Sequence, residues 1–369
     1  MDVVHGCGSL QTQLLNLRRF GDREAHMPTF SAEQLRGTVT KVFLNAGAPQ
    51  PAADRVAESL VLSNLMGVDS HGVMRIPQYL RCIQSGLIDP TAAPSIVRES
   101  DTVAIMDGHN AFGQVAAKQA MLVAMQKAQQ HAVGVVTLCH VMHIGRLGEW
   151  VEMAAEAGLC GLVMCNGAQP GGFVAPYGSR QRLLGTNPIA FAIPAGAQPP
   201  LVADFATASI AEGRVRNAYQ QGEHVAPGLL LDPEGNPTSN AADFYQGGAI
   251  QPFGGHKGYS LALWIEVFGG ILSGAGSPAF PDWRQMQNGT FMLALDACFF
   301  RPEAEYRRDV DALFSAVTHA KPMPGVERVL LPGGPEARSK VERERDGIPI
   351  PDAIWERIRQ AASGVGVEL

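Results

Sequence analysis

The chain lacks the short motifs by which many nucleotide-using enzymes are recognised. No Gly-x-Gly-x-x-Gly follows a strand pattern, so the usual dinucleotide fingerprint of a doubly wound sheet is missing. There is no Gly-x-x-x-x-Gly-Lys-Ser/Thr loop, which argues against P-loop phosphoryl transfer, and no Gly-x-Ser-x-Gly elbow, which argues against a serine hydrolase. Its six cysteines (Cys7, Cys82, Cys139, Cys160, Cys165 and Cys298) form no Cys-x-x-Cys pair and no zinc-finger spacing. The last four lie in apolar runs. They read as reduced core residues, the usage of a cytoplasmic protein.

Positive charge is also scarce. Lys and Arg number 29 against 35 Asp and Glu, a formal net charge of -6, which argues against nucleic acid or an anionic membrane as partner. A local Arg or Lys could still hold a small anionic substrate. Only Tyr259 to Ala275 approaches a membrane span in hydropathy. It is short, contains Glu266 and several glycines, and reads as a buried helix. The first 26 residues hold no continuous apolar stretch of the kind a secretory leader needs; they read as a disordered extension.

What is present is a packed globular composition: 369 residues, 46% hydrophobic and 17% charged. The ordered fold is expected to begin near Met27. Ser31 and Gln34 have the spacing of a capping box, with Phe30 placed to staple onto Leu35. Helical patterning runs from Ser31 to about Leu87, broken at Gly67-Val68-Asp69-Ser70-His71-Gly72. An alternation follows. Helices are predicted over 115–130 and 146–157, and strands over 133–138, 160–165, 189–193 and 201–205. Residues 194–200 and 232–248 read as loops, 257–273 as a long helix, 291–295 as a late strand and 351–362 as a terminal helix. The pattern is that of an α/β protein with a largely buried sheet.

Three stretches can carry chemistry. In Asp69-Ser70-His71-Gly72-Val73-Met74-Arg75, a helical continuation would put His71 and Arg75 on one side. Arginine grips a carboxylate bidentately, and histidine exchanges a proton near neutral pH. A 2-oxo acid needs both. Spacing alone favours a surface histidine and a surface arginine beside a turn. In His140-Val141-Met142-His143-Ile144-Gly145-Arg146, two histidines follow a strand and precede a helix, the place where α/β proteins gather ligands. A metal-dependent hydrolase built on His140 and His143 is a remote alternative, since no third ligand has a zinc spacing. In Gly254-Gly255-His256-Lys257-Gly258-Tyr259, a glycine-rich helix start with a lysine suits a phosphate. These residues alone stop at an α/β enzyme with a His/Arg site and an anionic cofactor.

Taken together, the stretches Asp69-Ser70-His71-Gly72, His143-Ile144-Gly145-Arg146-Leu147-Gly148, Leu184-Gly185-Thr186-Asn187-Pro188-Ile189-Ala190, Asp204-Phe205-Ala206-Thr207, Gly254 to Tyr259 and Leu331-Pro332-Gly333-Gly334-Pro335-Glu336 occur in an order that resembles the malate/L-lactate dehydrogenase type 2 family. The resemblance covers Met27 to the C-terminus. It implies a non-Rossmann NAD(P)-binding α/β fold around a mixed β-sheet, with a mainly helical N- and C-terminal domain (27–105 with 335–369) and an NAD(P)-binding domain (106–334). It implies a homodimer that transfers hydride between NAD or NADP and a small 2-hydroxy acid, with no nucleic acid or membrane partner. By the same resemblance His71 is the acid/base residue and His143 its partner or a substrate ligand. Ser70, Arg75 and Asn187 are substrate-side residues, Arg75 the carboxylate clamp. Asn166, Asp204, Thr207, Ala208, His256, Lys257, Gly333 and Gly334 are cofactor-side. Where the family often has Ser, this chain has Ala208, which keeps a backbone contact and loses a hydroxyl one. Where it often has Glu, this chain has Gly334. A cyclic imino acid reductase, using the same clamp on a C=N substrate, is the alternative within the family. The stretch from Ile144 to Trp150 is more similar to the hydroxycarboxylate dehydrogenases.

Overall fold

A computed structural model describes residues 27–283 and 287–369; the N-terminal extension expected over 1–26 lies outside the described residues. Strand β1 (Thr29–Phe30) leads into helix α1 (Ala32–Asn45), and α2 (Gln50–Leu65) packs against it. Two 3-10 turns (Asp69–His71 and Val73–Arg75) follow, then α3 (Ile76–Gln84). The capping box forms as the spacing predicts: the Gln34 amide donates to Ser31 Oγ at 3.1 Å, and the Ser31 amide donates to Gln34 Oε1 at 2.8 Å. Two orphan donors at the helix start are thereby satisfied. Phe30 stacks on Trp355 of the last helix, ring centroids 4.3 Å apart.

The chain then builds a sheet from β2 (Ser95–Glu99), β3 (Val103–Asp107), β4 (Val133–Val141), β5 (Cys160–Asn166), β6 (Pro188–Ile193) and β7 (Leu201–Ala206). Helix α4 (Gly113–His131) joins β3 to β4, and α5 (Leu147–Glu156) joins β4 to β5. Beyond the sheet come α6 (Glu212–Gln221), β8 (Leu230–Leu231), β9 (Pro237–Thr238), α7 (Ala241–Tyr245) and β10 (Ala249–Ile250). Helix α8 (His256–Ile265) continues as a π-helical turn over Glu266–Ile271. Strand β11 (Asn288–Leu295) returns to the sheet, and α9 (Glu303–Thr318), α10 (Gly334–Asp346), β12 (Ile348–Pro349) and α11 (Asp352–Ser363) complete the chain.

The seven-stranded order is β2-β3-β4-β11-β5-β6-β7. Only β3 and β4 run parallel; every other pairing in it is antiparallel. This mixed sheet is not the all-parallel, doubly wound sheet of a Rossmann domain. Valines and small residues in β4 and β5 suit strands covered on both faces. Trp150, Val151 and Ala154 of α5 pack on one face with Met121 and Ala124 of α4. A second core joins the N-terminal helices to the C-terminus: Leu35, Phe43, Leu60 and Tyr79 pack with Ile348, Ile358 and Val367. A third, around Val215, Leu230 and Phe244, underlies the small sheet β10-β8-β9.

Three readings need correction. Residues 232–248 are not only loop, because they contain β9 and α7, the latter capped by Asn240. The run from Tyr259 is buried on one side only; Leu263, Trp264, Val267 and Ile271 are exposed on the other. Cys298 is exposed, because β11 ends at Leu295 and Cys298 sits in the turn beyond it. The described cysteines are all free. Among the described residues no helix is long and apolar enough to cross a membrane.

Close packing of α4 on β4 rests on Gly134, where a Cβ would lie 1.9 Å from the Ala124 carbonyl oxygen. Gly134→Ala is predicted to lower stability by about 1–3 kcal/mol or more, the usual cost of overpacking. A denaturant midpoint equal to that of the parent would contradict this packing.

Candidate active site

The first wall of the site is the turn after α2. Asn64, buried at the end of that helix, accepts the Val73 amide through Oδ1 at 2.8 Å and donates to Asp69 Oδ1 at 2.6 Å. Gly72 has to be glycine here, since a Cβ would stand 2.2 Å from Asn64 Oδ1. Helix α10 pins the same turn from outside. Arg343 donates to both Asp69 carboxylate oxygens, at 2.6 and 3.0 Å, and to the Asn64 carbonyl. The result is two short turns bent at Gly72, in the stretch where the sequence pattern breaks, and not one helical continuation. Even so, Ser70, His71 and Arg75 converge. Arg75 Nε donates to the Ser70 carbonyl at 2.7 Å, and Nη1 to Gln78 Oε1 at 2.7 Å. Ser70 Oγ lies 2.9 Å from His71 Nδ1.

The second wall is the exit of β4. His140 adopts φ +52 and pairs with Asp107 at 2.9 Å, so it is not turned toward the site. Gly113, at the start of α4, lets the chain pass: a Cβ there would meet the His143 carbonyl at 2.3 Å. His143 therefore stands over His71, ring centroids 5.1 Å apart. Its Nδ1 is 2.7 Å from the Tyr79 hydroxyl, which receives a 2.5 Å hydrogen bond from Gln114 Nε2. Arg146, buried, pairs with Glu152 and stands near Asp204. Glu149, one turn into α5, accepts from Arg55 and from Ser59 Oγ.

Electrostatics here run one way. Burial, then the Arg75 and Arg146 guanidiniums, lowers His71 to about 3. Burial, Arg75 and His71 hold His143 well below the ordinary histidine range. Both imidazoles are therefore neutral at pH 7, and each keeps an accessible part. Burial raises the Tyr79 hydroxyl well above its usual range. Glu212 and Arg216 of α6 act on Arg75 from across the site.

The residues expected on the cofactor side fall into two groups. Asp204 is exposed on β7 and accepts the Gly148 amide at 2.7 Å; the surrounding protein pushes its carboxyl up to about 6, against the pull of that amide and Arg146. Gly333 and Gly334 run beside it, with Gly333 at φ +87 packed against Val202 and the Val202 amide reaching the Pro332 carbonyl. Thr207 donates its hydroxyl to the Asn187 carbonyl at 2.9 Å, and its own carbonyl accepts the Phe253 amide at 2.9 Å. Ala208 bridges to Pro252. This ridge leads to His256 and Lys257, whose side chains are exposed. The amides of Lys257, Gly258 and Tyr259 are taken by carbonyls of Gly254, Phe253 and Gly255. What this helix start offers an anion is thus its side chains more than its backbone donors.

Asn166 and Asn187 belong to a different arrangement. Both are fully buried, and their amide groups donate to Glu266, at 2.8 and 2.7 Å. Burial raises the Glu266 carboxyl, and the two asparagines oppose that shift. The pair ties β5 and the Asn187 turn to the π-helical turn after α8. Asn187 Oδ1 is buried with no hydrogen-bond partner among the described residues. Also among them, no group of three His, Cys, Asp or Glu is disposed to hold a metal ion.

Comparison with known proteins agrees with this architecture. A family model described as malate/L-lactate dehydrogenase matches residues 30–359. The chain belongs to the malate/L-lactate dehydrogenase family. Hydroxycarboxylate dehydrogenase B of Escherichia coli (strain K12) is 35% identical over 345 residues, 92% of this chain and 94% of that protein. The structure of sulfolactate dehydrogenase from Methanocaldococcus jannaschii superposes with a TM-score of 0.85 at 33% identity, covering 92% of this chain and 98% of that one. A delta1-piperideine-2-carboxylate reductase from Pseudomonas syringae pvar. tomato superposes with a TM-score of 0.78 at 31% identity, covering 90% and 99%.

Sequence reasoning missed Tyr79, Gln114, Asn64, Arg343 and Glu266. Tyr79 carried a usable signal, because it stands four residues after Arg75 on α3. Asn64→Ala is predicted to lower stability by about 1–3 kcal/mol, because it strands the buried Val73 amide. Urea denaturation measures this; an unchanged midpoint would contradict the role given to Asn64.

Proposed function

We propose that this dehydrogenase interconverts a small 2-oxo acid and its 2-hydroxy acid with NADH or NADPH. The convergence of Arg75, His71 and His143 carries this reading. A guanidinium supplies the planar donor fork that a carboxylate needs. Two imidazoles beside it can hydrogen-bond and protonate the oxygen on the neighbouring carbon.

The cofactor-side residues fit a nicotinamide dinucleotide. Lys257 and His256 are exposed donors suited to a pyrophosphate, the open Asp204 carboxylate suits a ribose hydroxyl, and buried Asn187 Oδ1 is an acceptor without a partner, suited to a carboxamide. Thr207, Ala208, Gly333, Gly334 and, through Glu266, Asn166 shape the walls between them. The bound dinucleotide supplies the hydride for the keto carbon. The chain's own residues do the rest. Arg75 orients the acid by its carboxylate, and Ser70 holds the Arg75 and His71 side chains in register. His71 gives a proton to the developing alkoxide in reduction and removes it in oxidation, with His143 as second ligand to that oxygen.

The low affinity of His71 for a proton is part of the mechanism. An empty site leaves two guanidiniums facing neutral imidazoles. A bound carboxylate offsets Arg75 and lets His71 take up a proton only beside substrate. A second reading, reduction of a cyclic imino acid, is supported by the likeness to the piperideine carboxylate reductase. The Ile144–Trp150 stretch favours the hydroxy acid. A homodimer is supported by the exposed apolar stripe of Leu263, Trp264, Val267 and Ile271. A cytoplasmic location is supported by the free cysteines.

Oxidation of NADH and NADPH, followed at 340 nm with pyruvate, oxaloacetate, 2-oxoglutarate, an aromatic 2-oxo acid and a cyclic imino acid, tests the assignment. Turnover of a 2-oxo acid is expected. Turnover of the imine alone would move the protein to the other reading. His71→Ala is predicted to lower kcat by about two to four decades, and near-parental turnover would sink His71 as the acid. Arg75→Lys should act mainly on KM for the acid, because lysine cannot form the fork; an unchanged KM would remove Arg75 as the clamp. In reduction, kcat/KM should fall by about tenfold per pH unit from pH 6 to 8, since free His71 binds its proton only at far lower pH. A flat profile across that range would contradict a depressed His71.

A further inference from the structure

The wall behind His143 holds a hydrogen-bonded series that the proposed reaction does not use. Gln114, fully buried on α4, donates through Nε2 to the Tyr79 hydroxyl oxygen at 2.5 Å, and that oxygen lies 2.7 Å from His143 Nδ1. A phenol has one proton to give. With the amide donating to the phenol oxygen, that proton points to Nδ1, and the proton of a neutral imidazole must then reside on Nε2. Tyr79 is fully buried as well, so neither group has bulk water as a substitute partner. Gln114 Oε1 is buried without a partner among the described residues. Leaving a buried acceptor unpaired costs free energy, and such a group calls for a reason.

We infer that Gln114 is a positioning residue: acting through Tyr79, it keeps neutral His143 as the Nε2–H tautomer, so that a donor rather than an acceptor faces the substrate oxygen beside His71. The ring nitrogen remote from Tyr79 is the one left for substrate. Donation from it polarises a carbonyl in reduction and stabilises the alkoxide that precedes oxidation. Division of labour between the two histidines follows. His143 contributes a fixed hydrogen bond, and His71 gains and loses the proton. The opposite amide orientation would turn the phenol proton toward Gln114 Oε1 and place the imidazole proton on Nδ1, leaving an acceptor toward substrate.

The role toward substrate rests on the reaction proposed above; the tautomer does not. Nitrogen-15 spectroscopy of the full-length protein with labelled histidine, His143 being assigned from a His143→Asn variant, reads the tautomer directly. The parent is expected to show a protonated Nε2 and a bare, hydrogen-bonded Nδ1. In Gln114→Met the phenol loses its donor, and a mixture of tautomers is expected, with kcat for 2-oxo acid reduction lowered about tenfold and KM changed less than about twofold. A proton on Nδ1 in the parent overturns the inference, whether or not the variant folds. An unchanged tautomer in folded Gln114→Met overturns it too. Nε2–H in the parent and its loss in the variant, with no 2-oxo acid turned over by either, upholds Gln114 as the tautomer-setting residue and sinks the proposed reaction instead.

Discussion

Burial of two imidazoles beside the Arg75 guanidinium, which together disfavour their protonated forms, organises this site. Burial depresses both His71 and His143, Arg75 adds to the effect at each, and Arg146 adds to it at His71. Most of the nearby acidic side chains pair with other arginines, Glu152 with Arg146, Glu149 with Arg55 and Asp69 with Arg343, while Glu212 acts on Arg75 from α6. The centre is left with positive charge and neutral bases. A monoanion carrying an oxygen one carbon away is the complement to that arrangement. In the proposed reaction a carboxylate on Arg75 would offset the nearest charge opposing His71, and binding would be coupled to protonation.

The scaffold makes this juxtaposition from distant parts of the chain. Asn64 and Gly72 shape the turn that carries Ser70, His71 and Arg75, and Arg343, far along the sequence, holds it closed. His143 arrives from the end of β4, over a backbone that needs Gly113 to pass. Glu266 fastens the sheet to the π-helical turn through Asn166 and Asn187. A buried carboxylate is costly unless its lone pairs are met, and here the two asparagine amides meet them. That use of the amide groups leaves Asn187 Oδ1 as its one unused polar atom.

Much of the fold class was legible in the sequence, because the strands of a covered sheet read as short apolar runs and α5 is stopped by Gly158 where the pattern ends. The capping box at Ser31 was legible because it depends on two residues three apart. Helices α9 and α10 were not, since both are largely exposed and their charged sequences carry a weak apolar stripe. In the site, Ser70, His71, Arg75 and His143 stood in readable motifs and are brought together. The contacts of the Gln114–Tyr79–His143 series and the Asn166–Glu266–Asn187 cluster were invisible, because the hydrogen-bonded partners stand 35 or more positions apart and only the tertiary fold brings them together. The resemblance to the family was legible in the order of six motifs, none of which suffices alone.

The account stands on the coupling between a carboxylate on Arg75 and the proton on His71. The direct measurement is the His71 pKa, titrated by nuclear magnetic resonance in the free protein and with a saturating, non-reducible 2-oxo acid analogue. The account predicts a value far below the ordinary histidine range in the free protein and a rise of one unit or more, on the order expected for a nearby opposite charge, when the analogue binds. An ordinary value in the free protein, or one that the analogue leaves in place, would contradict it.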